Sequence, residues 1–152
     1  MTPDRLETQT DKSSAVRGRR GGVKFVLLHH GGCSGGGFHY RIDADGRVNT
    51  ELDESERGQH PRSIGVVVDG DFDDGAPNDA QLAVLRRLLL KLKLRYPAAE
   101  LGAHRQVRGG VETTCPGKRF PMQALAAWSR TGLLDERDEV LRRDFESQYS
   151  KI

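Results

Sequence analysis

The sequence predicts an α/β domain, a β-sheet with helices packed on it, from three observations. Residues 23–28 and 63–68 are apolar nearly throughout and rich in β-branched side chains, the composition of strands buried on both faces. Between about Asp79 and Arg95, Leu82, Leu85, Leu89 and Leu92 recur at helical spacing with Arg86, Arg87, Lys91 and Lys93 largely elsewhere, which marks an amphipathic helix lying on a sheet. Residues 38–42 and 47–51 flank Asp43-Ala44-Asp45-Gly46, a turn that closes a hairpin and places glycine where positive φ is expected.

A chain of 152 residues is long enough to bury one core without disulfides or metal as sole support. Charged residues make up 30% and hydrophobic ones 36%, and the net charge of +2 is too small and mixed to argue for nucleic acid. No apolar run reaches membrane-spanning length. Residues 1–21 are polar and lack the apolar centre of a secretory signal. They are expected to be a disordered arm, its Arg17, Arg19 and Arg20 solvated, on a product made in the cytoplasm.

The first strand, from Val23, ends in His29-His30. Side chains alternate along a strand, so only one of these histidines faces a given site. A glycine-rich connection, residues 31–37, carries Cys33. This thiol is read either as reduced or as the disulfide partner of Cys115. After the hairpin a polar loop through His60 leads to the strand at residues 63–68. The acidic loop at residues 69–75 lacks the ligand spacing of an EF-hand, so calcium is not expected. Asn78 and Gln81 form a capping-box pattern at the start of the long helix, and Tyr96-Pro97 ends it. Residues 100–103 read as a short strand running into His104. A loop reaches Cys115-Pro116-Gly117, and residues 121–130 read as a second helix with Met122, Leu125 and Trp128 on one side. From Asp135 a charged tail carries Val140, Leu141, Phe145 and Tyr149 at helix-like spacing. The expected division is arm 1–21, domain 22–134 and tail 135–152.

Zinc takes nitrogen and sulfur donors, and a hydrolytic site uses three protein ligands and one solvent position. His29, His104 and Cys115 are the candidate set. Their spacing does not name a metal by itself, and surface histidines beside a buried thiol is the other reading of the same residues.

The ordered blocks Leu27-Leu28-His29-His30, residues 37–46, Gly58-Gln59-His60, Ser63-Ile64-Gly65-Val66, Gly102-Ala103-His104-Arg105 and Thr113-Thr114-Cys115-Pro116-Gly117 resemble the type 2 N-acetylmuramoyl-L-alanine amidases, which include phage lysozyme-type amidases and peptidoglycan recognition proteins. The resemblance covers residues 23–134. It implies a central mixed β-sheet flanked by helices, with zinc at the base of a surface groove. It makes His29, His104 and Cys115 the zinc ligands, puts Thr113 at the oxyanion and sets His39 and His60 along the substrate groove. It further implies an endolysin-like hydrolase of the amide joining the lactyl group of muramic acid to L-alanine. Its partner is peptidoglycan or a muropeptide, met after lysis, non-classical release or uptake of wall fragments, and the chain is read as a monomer. Zinc lowers the pKa of water from about 16 toward 7 and polarises the carbonyl.

The chain departs from the family pattern in three places. Phe38 stands where active members carry a catalytic tyrosine, and Val67 where others carry a glutamate. Tyr40, two residues along the strand, is the candidate substitute for the missing tyrosine, with an ordinary strand aromatic as the other reading of the same residue. The seven-residue loop 31–37 replaces a helix that walls the groove, and Arg41 and Glu51 are conceivable contacts to the peptide. His30 is read as packed, outside the ligand set. A peptidoglycan-binding module of the same fold with weak or no catalysis is the alternative reading, favoured by Phe38.

Overall fold

The computed structural model describes residues 22–33, 36–107 and 113–132; the expected arm and charged tail lie outside them. The chain divides into two compact units between Phe120 and Pro121. The first holds a five-stranded mixed sheet in the order β3-β2-β4-β1-β5. Its strands are β1 (Phe25–His30), β2 (Tyr40–Ile42), β3 (Val48–Thr50), β4 (Ser63–Val68) and β5 (Glu100–Ala103). Strand β1 runs parallel to β4 and β5, β2 runs parallel to β4, and the β2–β3 hairpin is antiparallel. The two apolar runs thus take the middle of the sheet, where both faces need covering. Strand β4 is buried along its whole length, whereas β1 is buried from Val26 to His29 and leaves Phe25 44% exposed.

Helix α1 (Asp79–Arg95) starts where the capping pattern puts it. The Asn78 side chain accepts from the Gln81 backbone N–H at 2.8 Å, and Gln81 Oε1 accepts from the Asn78 backbone N–H at 3.1 Å. Gln81 also donates to the Asp69 carbonyl at 2.8 Å, which ties the helix start to the end of β4. Its buried leucines are Leu85, Leu88, Leu89 and Leu92; Leu82, expected in the core, is half-exposed. The hairpin strands are shorter than expected, and Gly46 does take positive φ (86°). The second unit contains α2 (Met122–Ala127), which passes into a π-helical turn, Trp128–Gly132. The helix expected to reach Arg130 unbroken therefore changes its winding at Trp128.

Register divides the sheet into two chemical faces. Cross-strand partners share a face, so His29, Val67 and Arg41 lie on one side, and Leu28, Val66 and Tyr40 on the other. On the Tyr40 side a polar cluster forms at the end of α1. Glu54, 5% exposed, accepts from Tyr40 and Arg95, and from the Tyr96 hydroxyl at 2.7 Å. Burial alone would raise the Glu54 pKa, but the hydrogen bonds from Arg95, Tyr40 and Tyr96 outweigh it and hold the carboxyl below its ordinary value.

Removing a buried acceptor with charged partners costs about 2–3 kcal/mol, so Glu54→Ala should lose that much stability at pH 7 in urea unfolding. A depressed carboxyl contributes stability above its unfolded pKa of about 4.3 and loses it as pH falls through the folded value. The gap between wild type and Glu54→Ala should therefore narrow at pH 3, and an unchanged gap would contradict the cluster's charge state.

Candidate metal centre

Strand β1 carries His29 to the C-terminal end of the sheet, fully buried, with its ring 4.6 Å from that of Phe38. Strand β5 lies beside β1 and ends at Ala103, so the next residue, His104, begins a 3-10 turn (His104–Gln106) against the same edge. The third donor comes from the loop at Cys115. That loop is clamped to the acidic loop after β4: Asp73 accepts from the Lys118 backbone N–H at 2.8 Å and from the Thr114 hydroxyl at 3.1 Å. Arg119 N–H donates to the Phe72 carbonyl at 2.7 Å, and Arg105 donates to the Gly117 carbonyl at 3.1 Å. The acidic loop, with no calcium motif, thus acts as an anchor for the Cys115 loop.

These elements bring His29, His104, Cys115 and also Cys33 together, one ligand atom from each, all within 4.8 Å of one another. Cys33 Sγ lies 3.2 Å from His104 Nδ1 and 3.7 Å from His29 Nδ1, and Cys115 Sγ lies 3.9 Å from His29 Nδ1. Donors bound at 2.0–2.3 Å in a tetrahedron stand about 3.3–3.8 Å apart, so the spacing fits a metal with little adjustment. No disulfide joins the two cysteines.

The electrostatics also fit. Burial first, then the neighbouring His104, His60 and His30, lowers the His29 pKa to about 3, which keeps the imidazole neutral and its lone pair available. Burial followed by His60 and His30 lowers that of His104. Burial and the adjacent Cys33 push the Cys115 thiol up to about 12, against a lowering from the His30 backbone N–H, which points at its sulfur from 3.4 Å. A cation is the partner such a sulfur needs in order to ionise. His29 Nε2 is buried without a hydrogen bond among the described residues.

The remaining expected residues separate. His60 joins the cluster: its ring stacks on His29 at 5.6 Å and lies 4.8 Å from His104, and burial lowers its pKa. It also lines a cavity of about 500 Å³ with Leu27, Pro61, Leu101, Gly102 and Val107. Thr113 Oγ1 accepts from the Cys115 backbone N–H at 3.1 Å. His30 stays outside the donor set, and its Nδ1 accepts from the Gly32 N–H at 3.1 Å.

Two expected residues are not brought to the site. Tyr40 lies on the opposite face of the sheet with its hydroxyl on Glu54; Phe38 precedes the strand proper, so the alternation that equated the two positions does not hold. His39 is fully buried, with Nε2 on the Glu56 carbonyl at 2.8 Å and Nδ1 accepting from the Gly65 N–H at 3.0 Å. Both ring nitrogens are thus used, Nδ1 holding the hairpin to β4 and Nε2 holding it to the loop at Glu56, which leaves neither to line a groove. Arg41 pairs with Glu51 at 3.0 Å and Asp69 at 2.5 Å, so these charges answer one another. Cys33 as a donor was missed. Its signal was the four-residue separation from His29 across two glycines, the close ligand pairing that metal sites use.

A sequence profile of the N-acetylmuramoyl-L-alanine amidase family matches residues 3–118. The endolysin of Escherichia phage T7 is 38% identical over 81 residues, which cover 47% of this chain and 54% of that one. A peptidoglycan-recognition protein of Drosophila simulans is 31% identical over 102 residues, 62% of this chain and 54% of that one. The chain thus spans about half the length of the curated relatives it matches. Among solved structures, the N-acetylmuramoyl-L-alanine amidase LysC from Clostridium intestinale URNW superposes with a TM-score of 0.62 at 23% identity, covering 72% of this chain and 86% of that one. That likeness establishes the fold.

Loss of His104 or of Cys115 should empty the centre. His104→Ala and Cys115→Ser should each lower bound metal to below about a tenth of an equivalent by elemental analysis, while His30→Ala, outside the set, should retain it. Full metal content in Cys115→Ser would show the donors to be wrongly chosen.

Proposed function

Since the chain belongs to the N-acetylmuramoyl-L-alanine amidase family, we propose that it is a zinc-dependent hydrolase of the amide between the muramic acid lactyl group and L-alanine in peptidoglycan. The observation that carries this reading is the convergence of imidazole and thiol donors at His29, His104, Cys115 and Cys33. Two nitrogens and two sulfurs suit zinc among the common divalent ions. Bound there, zinc supplies Lewis-acid polarisation of a carbonyl and a lowered pKa for water.

The chain's own groups supply the rest. His29, held neutral by burial, and His104 offer lone pairs from fixed positions. The Thr113 hydroxyl already accepts from Cys115, which leaves its proton to donate to the oxygen that becomes negative as the amide is attacked. Proton transfer falls to His60. Its imidazole faces the donors and lines the neighbouring cavity, and its lowered pKa keeps it a base at neutral pH. It takes a proton from the attacking water and returns it to the departing alanine nitrogen. This role replaces the one expected of Tyr40. It also accounts for Phe38 and Val67, which pack apolar surface on the His29 side where the family resemblance places proton-transfer groups. The cavity, apolar along Leu27, Pro61, Leu101 and Val107, receives the substrate beside His60.

Mass spectrometry of digested peptidoglycan names the bond. The expected products are peptides with a free N-terminal alanine and glycans with a free lactyl carboxyl, lost with EDTA and restored by zinc. Wall binding without release would instead support the binding module that Phe38 favours. His60→Ala should lower turnover by about 10²–10⁴-fold, the usual contribution of general acid–base catalysis, with zinc content unchanged. Turnover equal to wild type would remove His60 from the mechanism.

A further inference from the structure

A hydrolytic zinc site keeps one position for solvent, whereas a site with four protein donors is closed. Three donors here match the hydrolytic pattern, and the fourth place is filled by Cys33, whose Sγ is nearer to His104 Nδ1 (3.2 Å) than either sulfur is to His29 Nδ1. We infer that Cys33 is a resident fourth ligand that holds the metal centre in a closed resting form, exchanged for solvent before hydrolysis. The inference rests on the metal-centre reading above and deepens it.

The turn that delivers Cys33 is built for the purpose. The Cys33 backbone N–H donates to the His30 carbonyl at 3.0 Å, and Gly32 N–H donates to His30 Nδ1 at 3.1 Å. The chain therefore folds back directly over the end of β1. A side chain at either of the two intervening positions would crowd its neighbours. A Cβ on Gly31 would lie 2.6 Å from Asp69 Oδ1 and 3.2 Å from Asp69 Cα, and one on Gly32 would lie 2.8 Å from His30 Cε1. This assigns His30 a role: its ring holds the turn and its backbone N–H addresses the Cys115 sulfur, so it positions both thiols without binding metal. A loop serving only as a connection has no need of so close an approach. With a metal bound, opening would exchange the Cys33 thiolate for solvent, the thiolate keeping its electron pair and taking a proton from solvent, with nothing oxidised or reduced. The half-buried position of Cys33, against the full burial of Cys115, makes it the donor that can leave.

The test substitutes Co²⁺ for zinc in the full chain and reads the sulfur-to-cobalt charge-transfer band, whose intensity counts thiolates. Wild type should show two, and Cys33→Ala and Cys33→Ser about half that intensity. Zinc should pass to a competing chelator at least roughly tenfold more readily in both variants, since loss of even an outer-shell partner has that effect. Hydrolysis per bound zinc should rise. One-thiolate intensity in wild type, unchanged in Cys33→Ala, overturns the inference and leaves the amidase reading standing. A fall in hydrolysis per bound zinc in both variants overturns the resting form. A wild-type chain that binds no cobalt defeats the metal-centre reading itself, and the inference with it.

Discussion

The burial of one imidazole governs the rest of the structure. His29 lies near the end of β1, a strand flanked by β4 and β5, with Phe38 against its ring and its Nε2 sealed from water. Burying a polar nitrogen without a partner costs about 1–3 kcal/mol. A fold retains such a group where something on the other side of the ring offsets that cost. Here Nδ1 looks toward two sulfurs, and metal binding at such a cluster contributes directly to the stability of the fold that assembles it.

The sheet separates this demanding chemistry from ordinary structural support. One face carries His29 and Val67; the other carries Tyr40, whose hydroxyl serves Glu54 together with Arg95 and Tyr96 at the end of α1. The carboxylate is thus occupied in joining helix to hairpin. The neutral His39 likewise fastens the hairpin to β4 through Nδ1 and to the loop at Glu56 through Nε2. Tyr40, expected at the reaction, and His39, expected along the groove, are therefore part of the frame that supports the candidate centre. The loops bearing Cys33 and Cys115 are anchored by separate devices, His30 for the first and Asp73 for the second.

Much of this was legible in the residues because it depended on local chemistry. Largely apolar runs forecast the central strands, and Asn78 with Gln81 forecast the helix start, because burial on two faces and helix capping each leave a short-range pattern. His29, His104 and Cys115 were legible through the ordered family motifs. The side on which Tyr40 falls was not, because alternation applies only inside a strand and β2 begins after Phe38 and His39. Nor was Cys33, since its position depends on how tightly two glycines let the chain turn over His30, a tertiary clearance invisible in composition. His60, expected along the substrate groove, lies beside His104 through the packing of the loop before β4, which the local sequence does not foretell.

The central claim is that one cation sits among these side chains. Anomalous diffraction from crystals of the full chain, recorded on both sides of the zinc absorption edge, tests it most directly. The account predicts a single zinc peak bounded by His29 Nδ1, His104 Nδ1 and the Cys115 sulfur. A crystal loaded with zinc whose peak lies elsewhere, with those three atoms bare, would contradict it.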